Sequence, residues 1–350
     1  MSKYIVERLG RMEAYTPGEQ VRGEKIIKLN TNENPFPPPQ GVCEAISAEA
    51  ERLRLYPDIT GGALTQSLGI HFGVPENCVF AGNGSDEILA FCFQALCPQG
   101  VAFADLTYGF YQVYADLYEV DSKIVPLRED FSLHTDDYNN LRRTIVIANP
   151  NAPTGLALSR VEVERIVRSN SENLVIVDEA YVDFGAESCV PLLERYENLL
   201  VVGTFSKSRS LAGARLGYAV GRCELIEDLN RMRFSFNPYN VNQLTLAAGA
   251  AALAEEAYFK SCKEKIIQTR ENTTKRLREM GFQCTDSQTN FVFATHPSYS
   301  AQRLYEGLKE KNILIRWFNK PRIVQYLRIT IGLAEEMDEM LQALEALLEE

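Results

Sequence analysis

Residues 199–221 read LLVVGTFSKSRSLAGARLGYAVG, two apolar runs separated by a stretch with hydroxyl residues, one lysine and two arginines. Neither LLVVGT (199–204) nor LGYAVG (216–221) alternates with polar residues, so both are expected to be strands buried on both faces. Lys207 follows the first run almost at once, and Arg215 comes eight residues later. In a parallel sheet covered by helices, ligands gather at the carboxyl ends of the strands. A lysine there, between the hydroxyls of Thr204 and Ser206 and a fixed cation, is placed to hold a small molecule.

The same pattern extends outward. CVFAG (78–82), VAFAD (101–105), TIVIAN (144–149) and NLVIVD (173–178) are further apolar runs, and helix-length segments such as SDEILAFCFQAL (85–96) and SRVEVERIVRSN (159–170) separate most of them. Continuous apolar strands alternating with helices predict an α/β fold with a mostly parallel sheet. From about 241 a helical pattern runs towards 280, followed by strand-like NFVFAT (290–295), ILIRWF (313–318) and LRITIG (327–332) and an acidic closing helix. That order predicts a smaller α+β domain. The proline-rich NENPFPPP (32–39) reads as a structured arm, because proline fits neither a sheet interior nor the middle of a helix. The expected division is an arm over 1–40, a large domain over 41–240 and a small domain over 241–350, with the arm packed on the small domain or on a partner.

Composition narrows the chemistry. The chain has 350 residues, is 45% hydrophobic and 24% charged, and carries a net charge of −11. That balance argues against a nucleic-acid footprint, which needs clustered Lys and Arg, and favours a small-molecule ligand. The first twenty residues contain no apolar signal core, and no segment reaches 18 uninterrupted apolar residues, so a cytoplasmic protein without a membrane span is expected. Eight cysteines lie scattered without a C-x-x-C pair. They are expected to be reduced thiols, neither a disulfide frame nor a zinc site.

Polar residues cluster where the strands end. AGNGSDE (81–87) is a glycine turn opening a helix, whose first amides and dipole can hold a phosphate, although Asp86 and Glu87 sit in the same turn. Its G-x-G-x-x-G alignment from Gly82 fails at Glu87, which disfavours a dinucleotide. Asp178 ends an otherwise apolar strand, and a charge there needs a partner, whether a structural ion pair or a ligand. Tyr181 follows three residues later. A lysine for a Schiff base, an acid for a pyridine nitrogen, a phenol for a ring oxygen and a phosphate cup together match pyridoxal 5'-phosphate. The three histidines, 71, 134 and 296, lie outside any nucleophile motif, so a serine hydrolase is not expected.

The chain resembles the fold-type-I pyridoxal-phosphate-dependent aminotransferases, and within them the histidinol-phosphate aminotransferase family. The resemblance rests on KLNTNENPFPPP (28–39), RLYPD (54–58), GNGSDE (82–87), TYGFY (107–111), NPNAPTG (149–155), VDEAYVDF (177–184), TFSKSRSLAGARLGYAVG (204–221), PYNVN (238–242) and LRITIG (327–332), all in the family's order. It implies a large domain with a seven-stranded, mostly parallel sheet and a small α+β domain. By resemblance Lys207 links covalently to the cofactor and moves the proton, Asp178 keeps the pyridine nitrogen protonated, Tyr181 bonds the ring oxygen and Tyr108 stacks on the ring. Ser85, Thr204, Ser206 and Arg215 hold the phosphate with the helix amides at Gly84, Ser85 and Asp86. Tyr56 reaches the phosphate of the other subunit, which implies a homodimer with shared sites. Arg328 binds an anionic substrate group, with Arg316, Asn30 and Tyr15 as further candidates; Arg316 can also be read as a solvated charge beside Trp317.

One departure stands out. The family usually places asparagine directly before PTG to bond the ring oxygen, whereas this chain has Ala152 there and Asn151 one position earlier. In extended backbone a one-residue shift turns a side chain to the opposite face, so the offer of Asn151 as a cofactor ligand is tied to local geometry. The implied reaction is transfer of an amino group from histidinol phosphate to 2-oxoglutarate in histidine biosynthesis. A threonine-phosphate decarboxylase, a broader aromatic aminotransferase and a non-enzymatic cofactor binder remain as alternatives at this stage.

Overall fold

The computed structural model describes residues 2–12, 18–19 and 26–349. Its centre is a seven-stranded sheet whose strands lie in the spatial order Val79–Gly82, Gly217–Gly221, Leu199–Thr204, Val175–Asp178, Thr144–Ala148, Val101–Ala104 and Ser122–Val125. Gly217–Gly221 runs antiparallel to both its neighbours, and the pairings from Leu199–Thr204 to Ser122–Val125 are parallel. Side chains alternate between two packed faces, as the period of a strand requires. Val146, Ile176 and Val202 meet Phe93 and Tyr111 on one face, while Ile145, Val175 and Val201 meet Val163 and Ile166 of the helix Arg160–Ser169 on the other. Coverage of both faces explains why these strands carry no polar alternation.

The exception is the edge strand Ser122–Val125, which escapes a sequence reading because it is not apolar: Lys123 and Ile124 are exposed. A short, charged edge resists pairing with other chains. ILIRWF also splits in two. Ile313–Leu314 pairs in parallel with Ile27–Lys28 of the arm, whereas Arg316–Trp317 joins a four-stranded antiparallel sheet with Tyr326–Thr330, Phe291–Thr295 and Gln283–Cys284. The helices Glu256–Glu279, Ala301–Glu310 and Ala334–Glu349 cover that sheet through Ile266, Leu304 and Leu344. Helix Gln243–Ala254 packs instead with Val42 and Leu64 beside the large sheet.

The expectation that all eight cysteines are reduced is overturned. Cys78 and Cys223 form a disulfide, with Cα atoms 4.5 Å apart. They are 145 residues apart in sequence, and only the antiparallel pairing of Val79 with Val220 brings them together. No spacing rule reveals such a pair. Among the described residues no helix is long and apolar enough to cross a membrane.

Candidate active site

The strands Val79–Gly82, Val101–Ala104, Thr144–Ala148, Val175–Asp178 and Leu199–Thr204 end at the same edge of the sheet, and their exits bound one cleft. Its phosphate-sized end is built from Ser85, Thr204, Ser206 and Arg215. Gly84 opens the helix Gly84–Ala95 at φ +80°, and a Cβ there would lie 2.6 Å from Arg215 Nη2, so only glycine admits both the turn and the arginine. The Thr204 hydroxyl donates to Ser206 Oγ at 2.9 Å and accepts from the Ser206 amide at 3.1 Å. These hydroxyls and the start of the helix offer the donors an anion needs.

Two acidic side chains in this turn do not spoil this arrangement. Glu87 turns back to accept from the Asn83 amide at 2.7 Å and from Asn240 Nδ2. Asp86 accepts from Arg215 Nη2 at 2.9 Å and from the Tyr108 phenol at 2.7 Å. The Asp86 charge is thereby spent on fixing Arg215 and the aromatic wall.

The same cleft is also lined by Asp178, Tyr181 and Lys207. Asp178 is buried, and burial pushes its carboxyl up to about 6, against bonds from Tyr111 and the Ala180 amide that act the other way. Tyr111 Oη donates to Oδ2 at 2.8 Å and Ala180 N to Oδ1 at 3.1 Å. No salt bridge reaches Asp178 among the described residues. A buried carboxylate held by neutral donors alone and open to a cleft suits a cationic ring N–H. Lys207 Nζ donates to the Thr31 carbonyl at 3.2 Å and sits 5.8 Å from the centre of the Tyr181 ring. Buried acid, amine, phenol, hydroxyls and Arg215 thus fit pyridoxal phosphate on the chemistry of their donors.

A wider cleft shares Asp86, Tyr108, Tyr181 and Lys207 with this one and extends to Asn30, Arg316 and Arg328. Arg316 and Arg328 are direct Cα partners on adjacent antiparallel strands. Like charges opposed in this way repel, and an anion between them relieves the repulsion. Arg328 is held by the Asn30 carbonyl at 2.9 Å and lies over the rings of Phe291 and Phe318. Arg316 also stacks over Phe318, at 5.2 Å. Asn30 therefore holds Arg328 through its backbone, while its side-chain amide donates to Glu19 O. Tyr15 lies outside the described residues.

Asn151 is a correction. Its amide donates to the Leu106 carbonyl at 2.9 Å and to Thr154 Oγ1 at 3.0 Å, and the residue borders a separate cavity rather than the cleft. The one-residue offset leaves Ala152 facing the cleft, so Asn151 does not replace the missing side chain. Tyr56 is 80% exposed, stacks on Tyr239 at 4.4 Å and is absent from its own chain's cleft. Sequence reasoning missed two positioning groups. Tyr111 stands inside the quoted TYGFY, and Asn32, whose Nδ2 donates to Tyr181 Oη at 2.9 Å, stands inside NTNENP. Both motifs were visible, but the direction of the side chains was not.

The class I and II aminotransferase profile matches residues 24–344. A histidinol-phosphate aminotransferase of Marinomonas sp. (strain MWYL1) is 49% identical over 353 aligned residues, covering 99% of this chain and 100% of that protein. One of Clostridium botulinum (strain Okra / Type B1) is 48% identical, covering 97% and 96%. Among solved structures, histidinol-phosphate aminotransferase from Sinorhizobium meliloti, in complex with pyridoxal-5'-phosphate, superposes with a TM-score of 0.88 at 23% identity. That superposition covers 100% of this chain and 98% of the other, and it shows a shared fold.

Proposed function

The chain belongs to the class I and II aminotransferase family, and from that premise we propose that it uses pyridoxal 5'-phosphate to move the amino group of histidinol phosphate to 2-oxoglutarate. The products are imidazole acetol phosphate and glutamate, a step of histidine biosynthesis. The observation that carries the reading is the meeting of Lys207 with a buried Asp178 that has no salt bridge among the described residues, in one cleft with the hydroxyls of Ser85, Thr204 and Ser206 and with Arg215. The names of relatives near half identity over almost the whole chain support the substrate.

When bound, the cofactor supplies an electrophilic aldehyde and a ring that accepts the electron pair left when a proton departs from the substrate Cα. The protein does the rest. Ser85, Thr204, Ser206, Arg215 and the amides from Gly84 onward would hold the phosphate, and Tyr108 would pack against the ring. Asp178 would hold a proton on the ring nitrogen and so favour a ring that accepts electrons. Tyr181 would donate to the ring oxygen. Lys207 would hold the aldehyde end of the cofactor, and its Nζ, once free, would be the group that carries a proton to and from the substrate Cα. Arg316 and Arg328 bind the phosphate ester of the donor and the distal carboxylate of the acceptor.

The working form in this reading is a cytoplasmic homodimer in which each phosphate site is completed by the partner subunit's Tyr56. Support comes from Tyr56, Leu53 and Leu55, which are all exposed at one corner of the chain. The arm over 1–40, the large domain over 41–240 and the small domain over 241–350 stay as the division we adopt, with Gln243–Ala254 seated on the large one.

The test is spectroscopic. Histidinol phosphate, threonine phosphate, phenylalanine and glutamate are added separately to the cofactor-loaded protein. Fast loss of the lysine-linked absorption with histidinol phosphate and glutamate supports the reading. Carbon dioxide release from threonine phosphate would establish the decarboxylase instead, and equal rates with phenylalanine a broad aromatic enzyme. Borohydride reduction and peptide mapping must place the label on Lys207.

A further inference from the structure

We propose that Asn32 is a positioning residue that turns the phenol proton of Tyr181 into the cleft, where Ala152 leaves the ring oxygen of the cofactor without a second donor. This rests on the function proposed above. The argument begins with Thr330. The Asn32 amide N–H donates to Thr330 Oγ1 at 3.0 Å, and the Thr330 hydroxyl donates in turn to Asn32 Oδ1 at 2.9 Å. With Oδ1 committed as acceptor, the side-chain amide has one orientation, and Nδ2 faces Tyr181 Oη at 2.9 Å. Nδ2 can only donate, so the phenol oxygen accepts there and its own proton points elsewhere. The Tyr181 phenol has no other hydrogen-bond partner among the described residues, and its remaining open side is the cleft.

The arrangement is rigid. Asn32 is 1% exposed and holds φ +57°, a left-handed conformation that asparagine tolerates better than most residues. The fully buried Asn290 donates to its carbonyl at 3.0 Å. Phe291 meets the Tyr181 ring edge-on, with centroids 5.3 Å apart, and fixes its plane. The Ala152 side chain in the same cleft offers no donor, and Asn151 is engaged with Leu106 and Thr154. The arm residue thus supports the one phenol on which recognition of the ring oxygen depends.

Asn32→Asp tests this directly. A carboxylate can still accept from Thr330, but it cannot donate to Tyr181 and instead draws the phenol proton away from the cleft. The readout is the pH midpoint of the visible absorption of the cofactor-loaded protein, together with cofactor affinity of the stripped protein. A lost donor destabilises the ring oxyanion, so Asn32→Asp should raise the midpoint by about one pH unit, and Tyr181→Phe should do the same. In the Tyr181→Phe background Asn32→Asp should add no further shift. Adding Ala152→Asn to Asn32→Asp should bring the midpoint back towards the wild-type value.

The charged groups around the site, namely Glu33, Asp86, Asp178, Lys207, Arg215 and the Arg316–Arg328 pair, are common to all these variants. A shift of equal size in the presence and absence of the Tyr181 hydroxyl would mean that the new charge acts through space, and it overturns the proposal. So does an unchanged midpoint in Asn32→Asp when Tyr181→Phe moves it. Should Asn32→Asp not fold, Asn32→Ala deletes the donor without adding charge and is judged by the same non-additivity. A wild-type protein that shows no cofactor linkage at Lys207 fails the parent reading instead, and this inference falls with it.

Discussion

Tyr111 Oη donates to Asp178 Oδ2 across 2.8 Å, joining a fully buried phenol on the helix Phe110–Leu117 to the carboxylate that ends the strand Val175–Asp178. The same ring meets Tyr108 edge-on at 5.7 Å. One side chain therefore supports both the wall above the cleft and the acid beneath it. Burial holds the Asp178 carboxyl at about 6, and the Tyr111 bond works against that rise.

Tyr111→Phe should push the Asp178 carboxyl higher still and weaken cofactor binding at neutral pH by about tenfold, the value of one hydrogen bond to a charged group. Titrating the carboxyl band of the cofactor-free protein by infrared reads the first effect. Equilibrium binding across pH reads the second. An unchanged carboxyl titration in the variant would remove Tyr111 from this role.

Asp178 also predicts a conflict between stability and function. Its folded-state value, about 6, lies above the ordinary 3.8, so the native chain holds this proton more tightly than the unfolded chain does. The associated stability is fully present below about pH 4 and is lost as pH rises through 6, amounting to about 3 kcal/mol at most. Glu179, pushed by burial to about 7 against bonds from Cys189 and Ser188, contributes with the same sign over a window that ends one unit higher. The cofactor-free Asp178→Asn protein should therefore match or exceed the wild-type Tm at pH 7.5 and show a flatter pH dependence, while turnover falls by orders of magnitude. Loss of Tm at pH 7.5 would mean that the carboxylate is paired within the chain.

How much of this could be read in advance follows from the kind of signal each residue gives. Lys207, Asp178 and Thr204 were legible because strands buried on both faces are apolar, so polar residues at their ends stand out. Ser122–Val125 was not legible, since an edge strand is half solvated and lacks that contrast. The fate of Asn151 hinged on which way one side chain turns within NPNAPTG, and spacing constrains only the alternation. Asn32 and Tyr111 act through partners 149 and 67 residues away, and no local pattern encodes such contacts.

Arg316 and Arg328 should separate binding from folding. Because they oppose each other across two strands, Arg316→Gln removes a repulsion together with the stacking of Arg316 over Phe318, and should shift Tm only slightly. Arg328→Gln also loses the bond to the Asn30 carbonyl and is expected to cost some stability. Either change should raise KM for a phosphorylated donor at least tenfold with a smaller effect on kcat, as expected for removal of uniform binding. Inorganic phosphate should compete with donor in the wild type and much less in the variants. A KM unaffected in both proteins would place the anion site elsewhere.

The exposed Tyr56 gives the last prediction. A tyrosine stacked on Tyr239 yet 80% exposed, next to exposed Leu53 and Leu55, is placed for contact beyond its own chain. A symmetric dimer uses the same patch twice, so each Tyr56 would complete the opposite cleft. Tyr56→Phe keeps the stack on Tyr239 and should weaken cofactor binding modestly, whereas Tyr56→Ala should inactivate strongly. Mixing Tyr56→Ala with Lys207→Ala chains under conditions of subunit exchange then creates a heterodimer in which both lesions fall in one cleft. The other cleft has an intact Lys207 and an intact partner Tyr56, so activity should return to about half the wild-type value per heterodimer. If exchange is demonstrated by mass and activity stays at the level of the parents, Tyr56 serves its own subunit and the shared site is wrong.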